Sequence, residues 1–354
     1  MQSIKALYSL LILLAALPGT LYAQTVIHAP DTHSPLAERW QWALQADDGF
    51  QCREGCWIGY SIQRLMDPDS YIGSWNSDDE KQIPLGEMLY GKHISRLETE
   101  TNGKVSKPVA LLFRLNQDRD RITAVKVSNL SRPVSLHAPL LWLGRSADAP
   151  SVNLIKELYA ETSTTSARKD LVMAAALHDS QLAVPFLAAV LNSRAATEIR
   201  EAAAFWLGEQ NEAHALTLLT QVARQDKSED VREKAVFAIS LMTMPAATDT
   251  LIELAKHADH REVREKALFW LAQHASKKAV ATLEHVAEND PDAEIRKKAV
   301  FALSQLPADQ AVPRLIKLAM SSQDPGVRKQ AIFWLGQSGD PRAVDVLASI
   351  AKGH

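Results

Sequence analysis

The sequence predicts a mainly α chain: a right-handed α-solenoid of 32-residue helix pairs, preceded by a small α+β domain with an antiparallel sheet. Three observations carry this. Five blocks recur at one spacing: Arg200-Glu-Ala-Ala-Ala-Phe-Trp-Leu-Gly208, Arg232-Glu-Lys-Ala-Val-Phe-Ala-Ile-Ser240, Arg264-Glu-Lys-Ala-Leu-Phe-Trp-Leu-Ala272, Arg296-Lys-Lys-Ala-Val-Phe-Ala-Leu-Ser304 and Arg328-Lys-Gln-Ala-Ile-Phe-Trp-Leu-Gly336, each 32 residues after the last. A fixed period with no insertion marks a repeat architecture. Each unit also holds a second apolar segment, opening at Ala215, Ala247, Ala279, Ala311 and Ala343. Both segments have helical spacing, and paired helices that bury their apolar faces only against neighbours stack into a solenoid. Upstream of the repeats, short runs alternate apolar and polar residues, as strands do.

The chain has 354 residues, 46% of them hydrophobic, and a net charge of −3. That balance excludes wholesale disorder and gives no basic excess for nucleic acid. Residues 1–23 read as a secretory signal peptide: Lys5 supplies the positive start, Ala6 to Leu17 is apolar, Pro18-Gly19 breaks the run, and Leu21-Tyr22-Ala23 precedes Gln24. The run is too short to span a bilayer. The mature chain is therefore expected to be periplasmic or secreted, without stable membrane insertion.

Residues 24–135 read as the small α+β domain. Cys52 and Cys56 are its only cysteines. In an oxidising compartment a Cys52–Cys56 disulfide is the plain reading, with a redox pair or a soft-metal site as alternatives. Ser34-Pro35 opens a helix with Leu36, Trp40, Ala43 and Leu44 on one stripe. Cys56 to Met66 reads as a strand with Ile58, Tyr60 and Ile62 on one face. Val109 to Asn116 and Arg121 to Leu130 form a hairpin.

Residues 136–354 read as the repeat array. Arg168 heads a worn copy, and one further step back places Trp142-Leu143-Gly144 in register with Trp206-Leu207-Gly208, with Pro139 where Ala normally stands. The first copy is thus expected to be a degenerate terminal repeat. Turn residues such as Asp226, Asn289-Asp290-Pro291 and Gln323-Asp324-Pro325 supply helix caps.

The pattern Asp-Pro-x-Val-Arg-x-x-Ala-x-x-x-Leu-Gly, whole from Asp324 to Gly336, resembles HEAT-type repeats, in particular the short HEAT-like repeat of phycobilisome lyases. The stretch Phe333-Trp-Leu-Gly-Gln-Ser-Gly-Asp-Pro-Arg-Ala-Val344 resembles a group of exported bacterial HEAT-repeat proteins of unassigned activity. The resemblance implies that each Arg pairs with an Asp of a turn in an inter-repeat ladder. It also implies that the Arg-headed helix lines the concave side.

At about 100° per residue, the Val or Ile before each Arg, the Ala three on and the Leu or Ile seven on share the core face. Phe205, Phe237, Phe269, Phe301 and Phe333 fall at about 140°, nearly opposite that face. Glu201, Glu233, Glu265, Lys297 and Lys329 flank them. Two readings stand side by side: a ring-lined binding groove, or filler covered by adjacent Lys and Glu stems. Trp142, Trp206, Trp270 and Trp334 alternate with Ala174, Ala238 and Ala302, which suits packing between neighbouring repeats.

No catalytic constellation, cofactor motif or metal site is read from the sequence. His257 and His260 flank a turn, and His178 and His274 stand three repeats apart. The chain has no His-Glu dipeptide, whereas HEAT-type hydroxylases carry paired His-Glu motifs for di-iron. The expectation is a non-catalytic scaffold that binds a protein or peptide partner in the groove. Alternatives are a cofactor-handling lyase or chaperone-like factor, and a redox or metal role through Cys52 and Cys56.

Overall fold

The computed structural model describes residues 25–46, 55–73, 83–91 and 98–352. The expected signal peptide and Cys52 lie outside the described residues.

The sheet comes first. β1 (Val26–His28) is followed by helix α1 (Leu36–Gln45), β2 (Cys56–Met66), the short helix α2 (Leu85–Tyr90), β3 (Thr99–Thr101), β4 (Lys104–Leu115), β5 (Ile122–Asn129) and β6 (Leu140–Arg145). The strand order is β1-β6-β2-β4-β3, with β5 also paired to β4. β2, β3 and β5 pair with β4 antiparallel. β6 instead lies parallel between β1 and β2. The sheet is therefore mixed, and the added strand is the segment that the repeat register claimed. Residues 140–145 are not a worn helical copy. Trp142 is wholly buried in that strand, and its indole N–H donates to the Tyr90 hydroxyl at 2.8 Å.

A run such as Leu-Leu-Trp-Leu suits a strand covered on both sides. Trp57, Leu112, Leu140 and Trp142 form one buried face with Leu85 and Leu89 of α2. Ile58, Tyr60, Ile62, Leu111 and Phe113 form the other, on which α1 sits: Trp40 meets Phe113 edge-on at 5.5 Å. Arg39 fastens α1 to β6, donating to the carbonyls of Leu143 and Arg145.

The helical array follows: α3 (Asp148–Glu161), then the pairs α4 (Thr165–Ala176) and α5 (Ser180–Leu191), α6 (Thr197–Glu209) and α7 (Ala213–Gln225), α8 (Glu229–Leu241) and α9 (Pro245–His257), α10 (Arg261–His274) and α11 (Lys277–Asn289), α12 (Ala293–Ser304) and α13 (Ala308–Ser321), α14 (Pro325–Gln337) and α15 (Pro341–Ala351). The core columns behave as their spacing dictates. Ile199, Val231, Val263, Ile295 and Val327 are buried, as are Ala215, Ala247, Ala279, Ala311 and Ala343. The core is continuous with the lower face of the sheet. β5 packs against α4, so the sheet closes the end of the stack that a degenerate repeat was expected to close. An end repeat needs such a cover, because its apolar face has no neighbour.

Candidate binding surface on the Arg-headed helices

The Arg column builds the frame. Arg200 pairs with Asp226, Arg232 with Glu262, Arg264 with Asp290 and Arg296 with Asp324; the three Asp partners flank helix ends, while Glu262 lies within the first turn of α10. The ladder joins repeats, as the resemblance implied, but one rung uses Glu262 where an Asp was expected. Asp226 and Asp290 give their carboxylates to the arginine behind them, while their main-chain carbonyls accept from Arg232 and Arg296 at 2.7 and 2.6 Å. Two bonding patterns alternate. Arg200 and Arg264 donate Nε–H to the carbonyls of Leu191 and Ala255. Arg232 and Arg296 aim Nε–H at the carboxylates of Glu262 and Asp324, each at 2.7 Å. Asp324 also caps α14, accepting from the amides of Gly326 and Val327. The Arg296 guanidinium beside it holds its carboxyl below the usual range.

This frame sets the helices α4, α6, α8, α10, α12 and α14 close together in one layer, while the other helices touch their counterparts sparingly. An array packed more tightly on one side bends toward that side, so the Arg-headed helices form the inner layer.

The Phe column lies on this layer and is not enclosed. Phe205, Phe237, Phe269 and Phe301 are half-buried, and Phe333 is 52% exposed. The rings are joined across seams. Phe205 stacks on Phe237 at 6.1 Å, where the intervening column holds Ala238. Trp270 reaches back to Phe237 at 4.9 Å and also meets Phe269 edge-on at 5.0 Å. Trp334 does the same for Phe301, at 5.2 Å, and Phe333, at 5.0 Å. Trp206, Trp270 and Trp334 are themselves half-buried. The Trp column is thus inter-repeat packing, and it contributes to the same aromatic surface. Sequence reasoning separated the two columns because they differ by one helical position; only the lean of each Trp toward the previous repeat joins them.

The flanking charges are largely spent within the chain. Lys266 pairs with Glu233 at 3.0 Å and Lys298 with Glu265 at 2.8 Å. Lys297 pairs with Glu294 at 2.8 Å. Lys234 stands over the Phe237 ring at 5.4 Å. Glu201 and Lys329 make no ion pair among the described residues. The charged rails therefore stiffen the layer more than the sequence suggested. Of the two cysteines, Cys56 is completely buried at the start of β2. Its expected partner, Cys52, lies outside the described residues. Among the described residues no cluster of metal-ligating side chains is present, and none of the helices is long and apolar enough to cross a membrane.

The family model for HEAT repeats matches residues 184–272, 248–318 and 280–353. Residues 184–353 are HEAT repeats. One helix, α4, and the start of α5 precede the matched segment in the same layered arrangement. Among solved structures the chain is similar to human deoxyhypusine hydroxylase, at 20% identity over 57% of this chain and 78% of that one, with a TM-score of 0.26. It is similar to the CpcE–CpcF complex of phycocyanin lyase from a Nostoc species, at 26% identity over 43% and 97%, with a TM-score of 0.32. It is also similar to YibA of Escherichia coli, at 20% identity over 58% and 80%, with a TM-score of 0.35. Among curated proteins none matches the chain's sequence. HEAT solenoids typically serve as surfaces for protein partners.

Proposed function

We propose that this chain is an exported, non-catalytic scaffold that holds a partner protein or peptide against the inner layer of its HEAT array. One observation carries the reading: five phenylalanines stand in line on that layer, each with part of its ring open to solvent. A Phe side chain offers about 150–250 Å². Partly open rings on the five alternate helices α6 to α14, with partly open Trp between them, line up as one continuous aromatic strip, and apolar strips of that kind mark interaction sites. Aromatic anchors in a concave setting are what protein interfaces use for most of their binding energy. Export rests on the pattern of residues 1–23, with its positive start, apolar run and small-residue end.

Capture from an exported fraction on immobilised mature protein, followed by identification of what elutes, tests the reading. The same capture on the Phe237→Ser, Phe269→Ser, Phe301→Ser triple variant is expected to lose the partner while circular dichroism keeps the helical signal. Undiminished capture by the variant rejects the inner layer as the binding surface.

A further inference from the structure

We infer that the segment held by the inner layer is a polarised one: an extended stretch of about a dozen residues, basic at one end, apolar in the middle and acidic at the other. The inference rests on the groove reading above and adds the partner's chemistry and direction.

Charge on the layer is not uniform once internal pairs are removed. On α6, Glu198 is exposed and Glu201 half-buried, both on the same helix face as Phe205, and neither forms an ion pair among the described residues. Across the middle, Glu233 is answered by Lys266 and Glu265 by Lys298. Those pairs lie on the rails of Phe237 and Phe269, and Asp230 and Lys234 of α8, four residues apart and in no ion pair among the described residues, are of opposite sign, so these side chains give the centre no net charge of its own. On α14 the sign reverses: Lys329 is exposed and without an ion pair among the described residues, and position 326, two before the Arg, is Gly where the α6 helix has Glu198. α12 shows the transition, since Lys297 and Lys298 together answer Glu294 and Glu265. From α6 to α14 the layer runs from acidic through apolar to basic, and α4, which carries exposed Lys169 in the Glu201 column, lies beyond the acidic end of that stretch.

Helices packed about 10 Å apart place α14 about 40 Å from α6. An extended chain covers that in about 12 residues. Unpaired rim charges govern encounter and register more than total affinity. A segment with its basic end over Glu198 and Glu201 and its acidic end over Lys329 therefore lies in one direction only.

The test uses the mature full chain and a 12-residue peptide carrying two arginines at one end, two glutamates at the other, and alternating Phe, Leu and Ser between, with a photo-crosslinker at either end. Crosslinks from the basic end are expected on α6 and those from the acidic end on α14. A second peptide with the two charged ends exchanged along the chain is expected to give the same assignment by charge. Replacing the charged ends with Ser is expected to weaken binding about tenfold. In the variant Glu198→Lys, Glu201→Lys, Lys329→Glu the crosslinks are expected to exchange ends. Crosslinks divided evenly between α6 and α14, or equal binding of the uncharged peptide, overturn the polarity and leave the groove standing. Absence of saturable binding by every peptide, together with undiminished partner capture by the triple Phe variant, overturns both.

Discussion

Nε2 of His178 lies 2.7 Å from Oγ of Ser151, and that hydroxyl lies 2.8 Å from the hydroxyl of Tyr60. All three residues are buried. Nδ1 of the same ring meets the Ala175 carbonyl at 3.1 Å, and a carbonyl only accepts, so Nδ1 carries the hydrogen. Nε2 then accepts from Ser151, and Ser151 accepts from Tyr60. This one-way relay ties β2 to α3 and to the turn after α4, where the sheet meets the helical array. Arg64 of β2 adds a second tie, donating to the Leu177 carbonyl at 2.7 Å.

The relay has a pH signature. Burial holds the His178 imidazole below its ordinary value of 6.5, with Asp148 opposing that shift and Arg64 reinforcing it. The folded chain therefore binds fewer protons here than the unfolded chain. The stabilisation is fully present above 6.5 and is lost as pH falls through the lowered folded value. The His178→Gln variant is expected to melt with a flatter pH dependence just below 6.5 than the wild type. His178→Ala, which strands the buried Ser151 hydroxyl, is expected to cost about 2 kcal/mol at neutral pH by denaturant titration.

Removing one member of an Arg–Asp pair leaves a charge in a site built for two. The side chains of Arg264 and Asp290 are 13% and 5% exposed. Arg264→Met is expected to destabilise the chain by about 3 kcal/mol, and Arg264→Met with Asp290→Leu to recover most of that loss. A chemical-denaturation cycle over the four proteins checks it.

Gly208 and Gly336 occupy the same repeat column and predict opposite outcomes. A Cβ at Gly208 would meet the Ala238 carbonyl oxygen at 2.5 Å, while one at Gly336 would meet nothing within 4 Å. Gly208→Ala is expected to cost about 1–3 kcal/mol through overpacking of α6 on α8. Gly336→Ala is expected to be neutral or to stabilise by up to about 1 kcal/mol, the usual gain of Ala over Gly in a helix. Paired thermal melts compare them.

A chain that begins at residue 147 lacks the sheet that covers α4. Leu171 and Val172 belong to the core shared with Val125 and Val127 of β5. Such a chain is expected to bind more hydrophobic dye than the whole chain does and to self-associate at concentrations where the whole chain does not. Sedimentation and dye fluorescence distinguish the two.

Most of the array was legible because a helical repeat writes its core in its period: Val231, Ala235 and Ile239 recur where their counterparts do, and all are buried. β2 and the β4–β5 hairpin were legible from alternation. β6 was not. Its Trp-Leu-Gly happens to fall on the repeat register, and an apolar run of this length has no helical or strand period of its own. What decides it is a long-range parallel pairing with β1 and β2, which no local pattern encodes. The Phe column could be placed on a face from spacing alone, but its exposure could not. That depended on whether the neighbouring Trp leaned over it or away. The partner of each charge likewise depended on reach between repeats: Lys266 could have stood free, and instead it closes on Glu233.

The alternation of the arginines, with Arg200 and Arg264 bonded one way and Arg232 and Arg296 another, runs in step with Trp206, Ala238, Trp270 and Ala302. Across these four helices the building block is consequently a doublet, with Arg328 outside the alternation, since it donates to the Ser322 carbonyl as Arg232 and Arg296 do to theirs while standing in a Trp helix. Excising a single 32-residue unit between α6 and α12 would set Trp against Trp or Ala against Ala at the new junction, whereas excising two adjacent units would keep Trp beside Ala. Shortening or lengthening this chain is thus a matter of parity before it is a matter of length.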